Sequence, residues 1–398
     1  MTRTLKVVLG VISLLVVVIV AVGAVVLWPV FFPDKAELSA PGGSAPGSVV
    51  EASAFTDLPV PMRLVRAKGA RIKYMSTGTD GKPTVVSGTV FVPGGEAPAG
   101  GWPVIALGHG TLGINTECGP SLSPNLLGLV ELAQGFVGAK YAVTVADYQG
   151  LGAPGVHEYL DSPTAGRNVI DSVRALRTVF GESTTVSNRW VGYGSSQGGG
   201  AIWAANEENA TYSPELDLLG TVEASPPANV VGLVAKARAG TITTDQAPAL
   251  QWVIESAARA HPDIVRDDYR SGTTRSNWDI LSACMGPLVA QRDEAVKALG
   301  PFDLAPKTDA ADARLTALLT SYALPQRRAS APMYVLWGTA DTYIDAAWTQ
   351  EAVRKACAMG DVIEASEQPG KGHSDVDNTS AVGWLKDRFD GKPAPSNC

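Results

Sequence analysis

The chain has 398 residues, 45% of them hydrophobic, and carries 32 basic against 39 acidic side chains for a formal charge of −7. That length suits two or three ordinary domains, or one large α/β domain with an insertion. The hydrophobic fraction excludes wholesale disorder, and a pI near 5.2 speaks against a nucleic-acid binder, which needs a basic face. Gly 42 and Pro 27 without a G-x-y period exclude collagen and promise many turns. The mean hydropathy of +0.08 is high for a charged soluble domain, so a strongly apolar segment must be averaged in.

That segment comes first. Val7 to Phe32 contains no charged residue and is rich in Val, Leu and Ile. As a helix at ~1.5 Å per residue it exceeds the ~30 Å hydrocarbon core of a bilayer. Arg3 and Lys6 precede it, so the positive-inside rule leaves the N-terminus cytoplasmic and exports the rest. The run exceeds the ~7–15 apolar residues of a cleavable signal, and no clear A-x-A site follows. Residues 1–32 therefore read as a signal anchor, with a cleaved signal peptide as the alternative. Residues 33–54, centred on Pro41-Gly42-Gly43-Ser44-Ala45-Pro46-Gly47-Ser48, read as a flexible tether. Export also bears on Cys118, Cys284, Cys357 and Cys398, which include no C-x-x-C pair. Four cysteines allow three pairings; two disulfides are expected, with Cys118–Cys284 and Cys357–Cys398 the favoured set.

From residue 55 to 398, short apolar runs alternate with longer helical stretches, the pattern of a mainly parallel sheet. Arg71–Met75 and Thr84–Val92 read as an opening antiparallel pair. Val104–Leu107, Ala142–Ala146, Trp190–Tyr193, Leu218–Val222, Tyr334–Trp337 and Val362–Ala365 read as buried strands. Val169, Val173, Leu176 and Phe180 recur at helical spacing between two of them. More than a hundred residues separate Leu218–Val222 from Tyr334–Trp337, far beyond a simple crossover. Their apolar groups are helix-like, which predicts a helical cap over about 226–328, opened by Pro226-Pro227.

The strongest motif is Gly194-Ser195-Ser196-Gln197-Gly198, a G-x-S-x-G between a predicted strand and a predicted helix. This is the context of a nucleophile elbow, where a serine sits on a sharp strand-to-helix turn. Only Ser196 has Gly at both −2 and +2, so Ser196 is the candidate nucleophile. A serine needs a base, and in this fold the order is Ser, acid, His. Of His109, His157, His261 and His373, only His373 follows every candidate acid, in a glycine-loosened loop after the last predicted strand. Tyr334–Trp337 runs into Gly338-Thr339-Ala340-Asp341, which makes Asp341 the expected acid and Asp345 the fallback. Oxyanion donors are expected from the backbone N–H of Gln197 and from the loop Gly108-His109-Gly110-Thr111, with Thr111 preferred. His109 reads as a loop-shaping residue.

With elbow, acid and histidine in order, the chain resembles the α/β-hydrolase superfamily, and within it the secretory lipase family of the fungal lipase A type. The resemblance rests on Gly108-His109-Gly110-Thr111, Asp147-Tyr148-Gln149-Gly150-Leu151-Gly152, Gly192 to Gly200, Tyr212-Ser213-Pro214-Glu215-Leu216 and Gly338-Thr339-Ala340-Asp341. It implies an α/β-hydrolase fold with a mostly parallel sheet and a helical cap, here preceded by one transmembrane helix. It further implies an exported carboxylester hydrolase acting on lipid or small esters, often acylglycerols, and adds Asp147 as an oxyanion-site candidate. A long anchor departs from the family's usual secreted form. An acyltransferase or peptidase on the same fold is the runner-up, and a non-catalytic binding protein is the reading from another class. No metal-ligand cluster, phosphate loop or dinucleotide fingerprint stands in the sequence, so neither cofactor nor metal is expected. The membrane enters as a partner through the anchor alone, and nothing in the sequence indicates an oligomeric state.

Overall fold

The computed structural model describes residues 3–32, 36–182 and 184–398. Residues 1–2 of the expected anchor and 33–35 of the expected tether lie outside the described residues, as do the side chains of Arg3 and Lys6.

Helix α1 (Arg3–Phe31) is long and apolar enough to cross a membrane, and over Val7–Phe31 none of it is buried in the rest of the chain. Apart from its C-terminal end, where Arg63 Nη1 donates to Val30 O (3.1 Å), this surface of Val, Leu and Ile stays uncovered and needs an apolar surrounding to be stable.

The following stretch departs from the expected tether. Ser39 N–H donates to Val179 O (3.1 Å), Gly47 N–H to Met75 O (2.7 Å), and Val49–Ala54 forms strand β1. Strand β2 (Lys68–Thr77) otherwise exposes an edge of unpaired backbone groups, and β1 pairs with it antiparallel. The Pro/Gly/Ser composition conceals this because the partner lies some twenty residues downstream. The folded unit thus begins before residue 55.

After the short helix α2 (Val60–Leu64) and β2 come β3 (Pro83–Val92), β4 (Trp102–Gly108), α3 (Val130–Gly138) and β5 (Ala142–Ala146). Then follow α4 (Ser162–Phe180), β6 (Val186–Ser195), α5 (Gln197–Tyr212) and β7 (Asp217–Ala224). The chain next leaves the sheet for α6 (Gly232–Ala239), α7 (Gln246–Ala260), α8 (Gly272–Ser282), α9 (Val289–Lys297) and α10 (Asp309–Tyr322). It returns through β8 (Met333–Gly338), α11 (Ala346–Ala358), β9 (Ile363–Gln368) and α12 (Ala381–Phe389). The described strands form one sheet in the order β1-β2-β3-β5-β4-β6-β7-β8-β9, antiparallel up to the β3–β5 pair and parallel beyond it.

Both faces of this sheet are covered, which is why its central strands read as unbroken apolar runs rather than as alternating ones. Val104 and Ala106 pack under α4 and α5 with Val169, Val173 and Ile202. Ile105 and Leu107 face the other way, among Ala133, Phe136, Trp384 and Leu385 of α3 and α12. The α6–α10 helices have a core of their own, including Leu233, Leu250, Ile254, Trp278 and Leu315. The disulfide Cys118–Cys284 ties this helical layer to the loop after β4, and Cys357–Cys398 ties α11 to the end of the chain.

Candidate active site

Parallel strands deliver their C-terminal ends to one edge of the sheet, and β6 ends there in the G-x-S-x-G turn. Ser196 sits at φ 53°, ψ −127°, a conformation that costs a non-glycine residue on the order of 1–3 kcal/mol and persists only where the surroundings impose it. Here they do: Ser196 N–H donates to Ala224 O (2.8 Å), and α5 begins at the next residue. The two glycines are demanded by packing. A Cβ on Gly194 would overlap the Gly198 carbonyl, and one on Gly198 would overlap the Gly108 carbonyl. Helix α5 can approach the β4 end only without side chains at these positions.

His373 lies in the loop after β9 and reaches back so that its Nε2 stands 2.9 Å from Ser196 Oγ. Its Nδ1 stands 2.7 Å from Asp341 Oδ2. A carboxylate only accepts, so the proton sits on Nδ1 and the Nε2 lone pair faces the serine hydroxyl. Asp341 is itself held: its Oδ1 accepts the N–H groups of Tyr343 (2.8 Å) and Ile344 (2.9 Å). The acid and base loops are laced together by Ala340 N–H to Lys371 O (2.9 Å) and Gly370 N–H to Thr339 Oγ1 (2.8 Å). Ser225 Oγ adds a bond to His373 O (2.9 Å). Asp345, the fallback acid, is engaged elsewhere, accepting from Lys236 Nζ (2.9 Å) and Gln246 Nε2 (2.7 Å).

Ser196 and His373 open on a cavity of about 580 Å³ beneath the α6–α10 helices, with Leu233, Trp252 and Ile344 among its apolar walls. Thr111 also lines it, its Oγ1 within 2.8 Å of Tyr159 Oη. Among the described residues, the backbone N–H groups of Thr111 and Gln197 have no hydrogen-bond partner. Both flank the serine, one from the loop after β4 and one at the positive end of α5.

Asp147 is corrected. It does not line the cavity; it is fully buried, and its N–H already donates to Ser87 O (2.9 Å). Its carboxylate accepts from Ser87 Oγ (2.6 Å), Ser121 N–H (2.9 Å) and Ser121 Oγ. Burial, only partly offset by these donors, raises its pKa to about 6. With no free donor, Asp147 is a strut joining β3, β5 and the loop after β4.

Two other histidines shape the site without titrating usefully. His109 is buried against Tyr148 (4.2 Å between rings), with its pKa lowered by desolvation. His157 is also buried, and burial first, then the nearby His109, brings its pKa down to about 3. Its Nδ1–H points to Gln149 O (3.1 Å), which leaves Nε2 to accept from Gln197 Nε2 (2.8 Å). The residue after the candidate nucleophile is thereby held by a neutral imidazole forty positions upstream. Only the polar Gln inside the elbow motif hinted at such a partner.

The model of the secretory lipase family matches residues 130–397. The chain belongs to the secretory lipase family. A relative named Lipase A from Arthroderma benhamiae is 25% identical over 272 residues, covering 65% of this chain and 55% of that protein. The chain therefore spans about half the length of the curated relative it matches. Candida antarctica lipase A in its closed state superposes with a TM-score of 0.71 at 18% identity, over 89% of this chain and 86% of that one. A ligand-bound rice cell wall degrading esterase, LipA from Xanthomonas oryzae, gives 0.66 at 18% identity over 85% and 95%. These likenesses establish the α/β-hydrolase fold of the family, and the described chain also carries one apolar N-terminal helix.

Proposed function

We propose that this family member is an exported serine carboxylester hydrolase acting on lipid esters. The observation that carries the reading is the hydrogen-bonded relay Asp341–His373–Ser196 at the floor of a cavity with both apolar and polar walls. Ser196 Oγ attacks the ester carbonyl as His373 Nε2 takes its proton, and Asp341 stabilises the resulting imidazolium. The oxyanion of the tetrahedral intermediate accepts the N–H groups of Gln197 and Thr111. His373 then protonates the departing alkoxide, which leaves an acyl-Ser196. Water attacks this acyl-enzyme with His373 as base, and collapse releases the acid and regenerates the serine. Acylglycerols fit the cavity's apolar walls, and the chain's secretory lipase relatives support that substrate class.

The unburied α1 and the two disulfides support a catalytic unit outside the cell, held to the membrane by residues 1–32 or released from it. Fluorophosphonate labelling tests the chemistry. The wild type should label stoichiometrically and thereby lose p-nitrophenyl ester hydrolysis, whereas Ser196→Ala should neither label nor hydrolyse the ester. Undiminished labelling of Ser196→Ala would overturn the assignment. Extraction of the protein from membranes with alkaline carbonate, followed by N-terminal sequencing, distinguishes a retained anchor from a cleaved signal.

A further inference from the structure

A cation lines the cavity without a counter-ion among the described residues. Arg238, Arg259, Arg266, Arg270, Arg275 and Arg314 of the α6–α10 layer each pair with a carboxylate within 4 Å. Arg292, on α9, is the remaining arginine of that layer, and it pairs with none among the described residues. Its guanidinium lies over the Trp252 ring at 4.5 Å, and its Nε donates to Leu281 O (3.2 Å). Arg292 lines the same cavity as Ser196 and His373, and no hydrogen bond from Nη1 or Nη2 to a described residue is formed.

The surroundings fix where this charge acts. Trp252, beneath the guanidinium, meets Tyr159 edge-on at 5.8 Å, and Tyr159 bonds Thr111 on the oxyanion side. Tyr343 packs at 5.1 Å from the His373 ring and lines the cavity with Arg292. Arg292 is thus linked through Trp252 and Tyr159 to Thr111, and it shares the cavity lining with Tyr343 beside His373. Asp245 and Asp293 also line the cavity; Asp245 is occupied by Thr342 Oγ1, and Asp293 is exposed to solvent. A guanidinium pinned on an aromatic face and partly stripped of water, with two N–H edges free, is pre-organised for a carboxylate or phosphate.

We propose that Arg292 recognises an anionic group on the substrate, so that the preferred esters carry a carboxylate or phosphate in addition to the scissile bond. This rests on the ester-hydrolase reading and narrows its substrate class. The free Nη groups would form a two-pronged hydrogen bond with the anion, while the apolar walls hold the chain that links it to the ester.

The test compares two matched pairs of esters. The carboxylate pair is the p-nitrophenyl monoester of a medium-chain dicarboxylic acid and its methyl-capped neutral form. The phosphate pair is a monoacylglycerol phosphate and the corresponding monoacylglycerol, followed by fatty-acid release. The readout is the kcat/KM ratio of anionic over neutral partner. Wild type should favour the anion by about 10-fold or more in at least one pair, the order of one charge-assisted bidentate contact. The pair that shows it identifies the source of the anion. Arg292→Gln should collapse that ratio toward one whatever its absolute rate, and Arg292→Lys should retain part of it. Asp293→Asn, which removes the adjacent opposing charge on an exposed site, should raise the ratio about 2-fold at low salt. A wild-type ratio near one in both pairs, or a ratio unmoved by Arg292→Gln, overturns the proposal while leaving ester hydrolysis standing. Absence of hydrolysis of all four esters, with no fluorophosphonate labelling, instead overturns the enzymatic reading. Calorimetric titration of Ser196→Ala and Ser196→Ala/Arg292→Gln with the anionic esters reads the contact without turnover; equal affinities also overturn it.

Discussion

Glu223 lies on β7 opposite Gly194 of the elbow strand, next to the Ala224 carbonyl that receives the Ser196 N–H. It is completely buried, and neither carboxyl oxygen has a hydrogen-bond partner among the described residues. Desolvation, weakly opposed by the neighbouring Thr221 hydroxyl, raises its pKa from the ordinary 4.5 to about 8. At neutral pH the folded protein therefore keeps a proton that the unfolded chain releases. Its contribution to stability is undiminished below pH 4.5, falls as the pH rises from 4.5 to 8, and is constant above. At ~1.4 kcal/mol per pH unit, the loss by pH 7 is on the order of 3 kcal/mol. Glu223→Gln has the shape of the protonated acid and cannot ionise. It should match wild type near pH 4 and exceed it by about 3 kcal/mol at pH 7. Urea unfolding of both proteins at pH 4, 5.5, 7 and 8.5 measures this difference directly. A variant no more stable than wild type at pH 7, or a stability gap that does not widen with pH, would refute the neutral buried acid.

Asp341→Asn should lower kcat about 10,000-fold with little change in KM, because the amide favours the wrong imidazole tautomer; steady-state kinetics on a p-nitrophenyl ester checks it. Gly198→Ala drives a methyl into the Gly108 carbonyl and should destabilise the fold by about 1–3 kcal/mol in urea melts, with activity falling as the elbow shifts. Cys284→Ser opens a cross-link spanning 166 residues and should cost about 2–5 kcal/mol, seen as a lower urea midpoint without reductant, where Cys357–Cys398 stays closed.

The parts of the candidate site legible in the sequence are those whose chemistry leaves a local trace. Gly194 and Gly198 are visible because only glycine tolerates the contact of α5 with the β4 end, and Ser196 is then located by its place between them. His373 follows from its place after the last strand among only four histidines, and Asp341 from its place after an apolar strand. Asp147 is a candidate only through the family resemblance, and nothing local in the sequence reveals that Ser87 and Ser121 already occupy both its oxygens. Val49–Ala54 was hidden likewise, since six residues after a Pro/Gly/Ser stretch become a strand only when β2 offers an edge.

The sequence alone determined the apolar segment behind the raised hydropathy, the alternation of strands and helices from residue 71 onward, and the types of residue available for acyl chemistry. Each depends on interactions within a few turns of chain: a run of apolar residues, a spacing, a turn that excludes side chains. Tertiary structure decided which donors were already occupied, which imidazole nitrogen carries the proton, and that Arg292, unlike the other arginines of its helical layer, pairs with no carboxylate among the described residues. It also decided that the length beyond an ordinary domain forms a second core over the sheet edge, enclosing a cavity. Those outcomes turn on groups from 32 to 177 positions apart, as in the Asp341–His373 and Ser196–His373 contacts, meeting at one sheet edge. Such meetings depend on chain topology, which no local window of sequence contains.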